Sequence, residues 1–170
     1  MLCKKMEDAL NEQVKWELWS AYLYLSMSTY FEDMGLMGFA NWMKVQEQEE
    51  KFHATKFHAY TFERGGRIKL KTLEEPENTW ESPFVAFKEV LKHERGVTAR
   101  INDLMDLALQ EKDHATASYL KWFIDEQVEE EANVQDVINK LKLVEGNPSA
   151  LYMLDKELAT RVFTPPATAA

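Results

Sequence analysis

The chain has 170 residues, of which 45% are hydrophobic and 29% charged, and a formal net charge of -9. That length allows one domain with a real core, and the scarcity of glycine and proline describes a folded, mostly helical chain rather than a disordered one. The acidic balance argues against nucleic acid as a partner, since phosphates demand clustered Lys and Arg, and no apolar run approaches the roughly 18 residues of a membrane span.

The start, MLCKKMEDAL, lacks the apolar stretch of a secretory signal, and the single cysteine, Cys3, cannot build an internal disulfide. Both features suit the cytoplasm, with Cys3 as a free surface thiol. A helical period then runs over about 4–34 and stops at a short turn flanked by Gly35 and Gly38. A second helix, about 37–65, ends at Gly65-Gly66. The next stretch, GGRIKLKTLEEPENTW, has no helical period, and its roughly 17 residues reach about 56 Å when extended. Ser82-Pro83 has the N-cap and first-turn chemistry that opens a third helix, about 83–111. Asp113 caps a fourth, about 114–145, and Gly146-Asn147-Pro148 stops it and starts a short fifth, to about Leu158. The remainder, RVFTPPATAA, is read as a loosely ordered tail over 161–170, leaving 1–160 as one domain.

The expected fold is all-α: a four-helix bundle about 42 Å long, with a long crossover between the second and third helices and a short fifth helix. The crossover can traverse the bundle, which makes the second and third helices parallel. Short links make the other neighbours antiparallel.

At a 3.5-residue period each helix shows a core-facing row. The first is Met6, Leu10, Gln13, Glu17, Tyr24 and Phe31, and the second Phe39, Met43, Gln46, Glu50, His53, Phe57 and Tyr60. The third is Phe87, Leu91, Glu94, Thr98, Ile101 and Met105, and the fourth Leu120, Phe123, Gln127, Glu130, Val134, Val137 and Leu141. Every row is apolar at both ends and polar in the middle, so Glu17 faces Glu50, His53, Glu94 and Glu130 at mid-height. Four carboxylates and an imidazole cannot simply share a dry core, because desolvation and like charge both raise a carboxyl pKa. Two divalent cations balance the four carboxylates. Glu50-x-x-His53 is an i, i+3 pair on one helical face, and Gln127-x-x-Glu130 repeats the spacing with an amide in place of one ligand. With one Glu from each of the other two helices, this is the di-iron carboxylate pattern of helical bundles. Oxygen donors with one imidazole suit iron or manganese; zinc would bind as an inhibitor. Iron is favoured, because a paired, oxygen-rich site can pass two electrons to O2.

These residues also carry a family resemblance. The motifs NEQVKWELWSAYLY, VQEQEEKFH, KHE at 92–94, WFIDEQVEEEA and LYMLDKEL, in this order and spacing, resemble the non-haem ferritins of bacteria and archaea over about 3–160. The resemblance implies a ferroxidase centre with Glu17, Glu50 and His53 on one iron. Glu50 would bridge to a second iron held by Glu94 and Glu130, with Gln127 beside it. It implies a third iron toward a cavity, on Glu49, Glu126, Glu129 and Glu130. Tyr24 would donate an electron or a hydrogen bond to the centre, and Trp122 would be an aromatic close to it. Fe(II) and O2 or H2O2 are the implied substrates, and the implied assembly is a hollow homo-oligomer of 24 subunits that stores iron mineral.

Two departures separate the chain from neighbouring families. Bacterioferritins carry a second E-x-x-H where this chain has Gln127-x-x-Glu130, and no methionine matches their haem ligand, so no haem is expected. The small DNA-protecting relatives put their iron ligands between subunits and lack a comparable fifth helix. A rubrerythrin-type di-iron oxygenase or peroxidase is the alternative enzyme, and a metal-free structural bundle the alternative without catalysis. His58, His93 and His114 fall off the rows and are read as bystanders, and most of the eight methionines as core filler. A second apolar stripe on the first helix, Trp16, Trp19, Leu23, Met27 and Tyr30, is either a subunit contact or one side of a wide core face. Leu151, Leu154 and Leu158 of the fifth helix are a further candidate contact.

Overall fold

The computed structural model describes residues 1–165; the last part of the expected tail, 166–170, lies outside the described residues. Five helices account for its regular structure: α1 Lys4–Asp33, α2 Met37–Glu63, α3 Pro83–Gln110, α4 His114–Leu143 and α5 Pro148–Leu158. The all-α expectation holds, and each helix ends within two residues of its sequence-based boundary. No helix among the described residues is long and apolar enough to cross a membrane.

Local chemistry sets the helix starts. Ser82 Oγ accepts from the Val85 amide at 3.2 Å, Asp113 Oδ1 from Thr116 at 3.1 Å, and Asn147 Oδ1 from Ala150 at 3.1 Å. Each satisfies an amide that a helix start leaves without a partner. Exposed Cys3 serves α1 in the same way. By contrast, α2 has no side-chain cap of its own. Its first amides, Gly38 and Phe39, donate to Asp155 Oδ1 of α5 at 2.7 and 3.1 Å. A Cβ on Gly38 would lie 1.6 Å from the Asp155 carbonyl oxygen, so only glycine lets α5 dock there.

Hydrogen bonds trace the path of the 64–82 connection along α1. Asn11 receives the Lys69 amide and donates to the Arg67 carbonyl. Lys15 and Trp19 then reach Glu74, Ser26 donates to the Glu77 carbonyl, and Tyr30 to that of Trp80. The chain thus climbs from the start of α1 to its end before α3 begins. Since α2 also starts at the end of α1, α2 and α3 run parallel, as the length of the crossover requires.

Two apolar clusters fill the bundle. One is built around Phe31, Phe39, Met43, Phe87 and Val134, the other around Met6, Leu10, Phe57, Ile101 and Leu120. A buried polar layer of Gln13, Glu17, Gln46, Glu50, His53, Glu94, Gln127 and Glu130 lies between them. The expected rows of α1 and α4 are buried throughout, and that of α2 as far as Phe57. On α3 the row is rotated at three places: Val90, Val97 and Leu104 are buried, whereas Leu91, Thr98 and Met105 are only partly so. The buried positions keep the same average spacing but step three then four from Phe87, where the expected row steps four then three.

Much of the second stripe of α1 faces this chain's own core, while Trp16 stands outside both clusters. Leu23 and Met27 are buried, Trp19 and Tyr30 pack against the same cluster, and the crossover covers both rings. On α5, Leu154 and Leu158 are likewise buried under this chain's own bundle.

Candidate metal centre

The three-residue turn at 34–36 reverses the chain, so α1 brings Glu17 against Glu50 and His53 of α2. His53 Nδ1 lies 3.8 Å from Glu17 Oε2 and 3.7 Å from Glu50 Oε2, and all three side chains are buried. One donor atom from each falls within 4.8 Å of the others, the one such convergence of three or more His, Cys, Asp or Glu among the described residues. Glu17 Oε1 accepts from Gln13 Nε2 at 2.7 Å, but Glu17 Oε2 and Glu50 Oε2 are buried with no hydrogen-bond partner. Orphaned buried carboxylate oxygens are costly, typically by more than the 1–3 kcal/mol of a neutral polar group. Two of them beside one imidazole make a donor set suited to a cation, and oxygen with nitrogen donors fits iron.

The other half of the bundle supplies the second pair of carboxylates. Glu94 Oε1 accepts from the Tyr24 hydroxyl, and Glu94 Oε2 from Gln127 Nε2 at 3.2 Å. Gln46 Nε2 donates to Glu130 Oε2 at 2.9 Å. Both carboxylates are therefore held by neutral donors. No Lys or Arg hydrogen-bonds Glu17, Glu50, Glu94 or Glu130 among the described residues.

The electrostatics follow from that isolation. Burial, followed by the charge of Glu50, pushes the Glu17 pKa far up; burial and then Glu94 do the same to Glu50. Glu94 rises to about 8, from burial first and Glu130 second. Burial and the adjacent Glu94 also keep the Tyr24 phenol protonated well above its usual range. Without a cation, protons neutralise these carboxyls; a cation takes their place and releases them.

A family profile described as a ferritin-like domain matches residues 7–144. The chain belongs to the ferritin family. A bacterial non-heme ferritin from Bacteroides fragilis (strain 638R) is 42% identical over 161 residues, covering 95% of this chain and 100% of that one. A second, from Staphylococcus aureus (strain MRSA252), is 40% identical over 163 residues, or 96% of this chain and 98% of its own. Among solved structures, an engineered closed form of the Archaeoglobus fulgidus ferritin superposes with a TM-score of 0.95 at 52% identity, covering 96% of this chain and 100% of that one. The open pore ferritin from the same archaeon gives 0.94 at 51% identity, over 95% and 100% of the two chains.

In this ferritin the remaining expected ligands, Glu49, Glu126 and Glu129, are less buried than the four central carboxylates. Glu49 and Glu126 are partly buried and Glu129 is exposed. Glu49 rises to about 7, chiefly from burial, with Arg161 opposing and Glu130 and Glu126 adding to the rise. Trp122 stands edge-on to His53 at 5.5 Å, and the Lys56 ammonium lies 4.2 Å from the Trp122 centroid.

Four residues that contribute to the site receive no role from the sequence. His93 is mostly buried: it pairs with Ser20 Oγ at 2.8 Å and packs on Trp19 and Tyr24, with ring centroids 5.5 and 6.0 Å away. Burial and then the nearby Arg100 charge lower its pKa to about 4, so it stays neutral behind Tyr24. Its signal was the second stripe of α1, which marks a face that α3 must cover. Gln13 and Gln46 lay on the rows without a role, and each orients one carboxylate. Arg161 had no signal at all, since it lies beyond the last helix.

Proposed function

We propose that this ferritin stores iron, oxidising Fe(II) at the mid-bundle centre and laying down the Fe(III) product as mineral inside a homo-oligomeric cage. The observation that carries the reading is the pair of unpartnered buried oxygens on Glu17 and Glu50 beside His53. Glu17, Glu50 and His53 hold one Fe(II); Glu94 and Glu130 hold the second, and Glu50 bridges them. Gln127 and Tyr24 keep Glu94 aimed. Each Fe(II) gives up one electron, and O2 takes both, leaving as H2O2 once two protons join it. The carboxyls that titrate high in the metal-free centre supply protons as the cations enter. H2O2 can serve as the oxidant by the same two-electron count.

A third iron on Glu49, Glu126, Glu129 and Glu130 leads from the centre toward the cavity, and the chain binds no haem. The assembly is a cage of 24 subunits, the number the resemblance implies. Tyr22 and Leu25 of α1, 46% and 42% exposed, and Tyr152 and Met153 of α5, 58% and 67% exposed, support burial between subunits. Cys3, exposed and unpaired, suits the reducing cytoplasm. Membership of the ferritin family disfavours both the rubrerythrin-type and the metal-free readings.

The test is Glu50→Ala. It removes the carboxylate shared by both irons, so aerobic Fe(II) oxidation, followed by stopped-flow absorbance, should fall about 100-fold or more while the assembled mass is unchanged. A wild-type oxidation rate in this variant would sink the site assignment.

A further inference from the structure

The centre and its outlet differ in their partners. The hydrogen bonds to Glu17, Glu94 and Glu130 come from the neutral side chains of Gln13, Tyr24, Gln127 and Gln46. At the outlet the partner is a guanidinium. Arg161 Nη2 donates to Glu49 Oε2 at 2.8 Å, and the two side chains are only 20% and 21% exposed. The guanidinium lies on the Trp42 ring, 4.5 Å from its centroid. Its backbone is fixed too, because Asn41 Nδ2 donates to the carbonyls of Leu158, Ala159 and Arg161 at 3.2, 3.4 and 2.9 Å. Phe163 continues the contact, with its ring 6.1 Å from that of Phe52. Arg161 is thus anchored at this place by α2 and the end of α5. Its Nη1, however, is buried without an acceptor, so the fork is only half used.

We infer that Arg161 is the built-in counter-ion of the third iron position, occupying Glu49 when no cation is there and keeping a cation's stay short. The inference rests on the third position described under the proposed function. An arginine cannot leave by losing a proton, since it stays charged at every working pH. A divalent ion reaching Glu49 must therefore either push the guanidinium aside or bind against its charge. In both cases the third position binds more weakly than its carboxylates alone would allow. Weak binding is what an outlet needs, because an ion held tightly on Glu49 would block those behind it. The half-used fork fits this exchange: Arg161 surrenders one hydrogen bond to Glu49, not a bidentate pair.

Zinc titration of the metal-free, fully assembled protein by calorimetry tests this without iron chemistry. Glu49→Gln first identifies the third class of Zn2+ sites, as the class it abolishes. Arg161→Met keeps the packing on Trp42 and removes the charge. It should tighten that class by roughly tenfold to a hundredfold, as expected for a unit charge several Å from a divalent ion at intermediate dielectric. The two tighter classes should not move. Arg161→Lys keeps the charge and should stay within about threefold of wild type. If packing rather than charge matters, Lys and Met weaken or disturb binding alike, and the inference is overturned. Unchanged third-class affinity in Arg161→Met overturns it as well. Should Arg161→Met fail to assemble, Arg161→Gln, with a neutral donor for Glu49, must show the same gain. A Glu49→Gln protein that loses no Zn2+ class removes the third position itself, and the role of Arg161 with it.

Discussion

Replacing Glu94 by glutamine should stabilise the metal-free protein at high pH and destabilise it at low pH. Glu94 is fully buried, and its pKa is raised from 4.5 to about 8. A carboxyl whose pKa is raised by folding leaves stability intact below its unfolded value and erodes it as pH climbs to the folded one. Between 4.5 and about 8, at about 1.36 kcal/mol per unit, the erosion reaches roughly 5 kcal/mol per chain; at pH 5 it is under about 1 kcal/mol. Glutamine avoids this penalty, and its carbonyl still accepts from Tyr24. Its NH2 group, however, meets the Gln127 amide that donates to Glu94 at 3.2 Å, a donor–donor clash worth about 1–3 kcal/mol. The net is a gain of about 2–4 kcal/mol at pH 8 and a loss of about 1–2 kcal/mol at pH 5. At about 2–4 °C per kcal/mol, melting should rise by roughly 5–10 °C at pH 8 and drop by a few degrees at pH 5. Calorimetric melting in chelator, at one protein concentration, reads both. A drop of equal size at the two pH values would refute the idea that burial strains this carboxyl.

Four further outcomes follow from the same geometry. Zn2+ should raise the melting temperature more at pH 8 than at pH 5, because protons compete for the central carboxyls at low pH. In weakly buffered dye solution near neutral pH, each chain should also release one or more protons as the centre fills. Gly38→Ala, which forces a Cβ to within 1.6 Å of the Asp155 carbonyl oxygen, should push α5 off its seat, lower the melting temperature and open the segment after 146 to limited proteolysis. Asp155→Ala should cost about 1–2 kcal/mol by uncapping α2, with no effect on Zn2+ affinity at the centre.

Much of this molecule could be read in the sequence because a helix repeats. On α4 every expected core position, from Leu120 to Leu141, is buried, and the break in its apolar row at Gln127 and Glu130 marks the height of the centre. Ser82, Asp113 and Asn147 could be read because a cap acts within three residues. Interactions between distant segments left no such trace. Leu36 is a poor cap, and nothing local says that Asp155 takes its place 117 residues beyond Gly38. On α3 the expected row took Leu91 where Val90 is buried, because a step of three or of four from Phe87 meets an apolar residue and the sequence pattern does not choose between them. His93 sits beside Glu94 yet points to α1, and its value depends on Trp19 and Ser20 being opposite. Arg161 reaches Glu49 from outside any periodic element.

The central claim is that a buried pair of iron sites feeds a mineral inside an assembly. It is tested most directly by loading the purified metal-free protein with Fe(II) in air, then measuring native particle mass and iron per chain together. The account predicts a particle of many subunits whose iron content climbs far beyond the two or three ions that its ligands can hold. A particle that stops at two or three per chain, with further Fe(II) left in solution, would keep the metal centre and contradict storage.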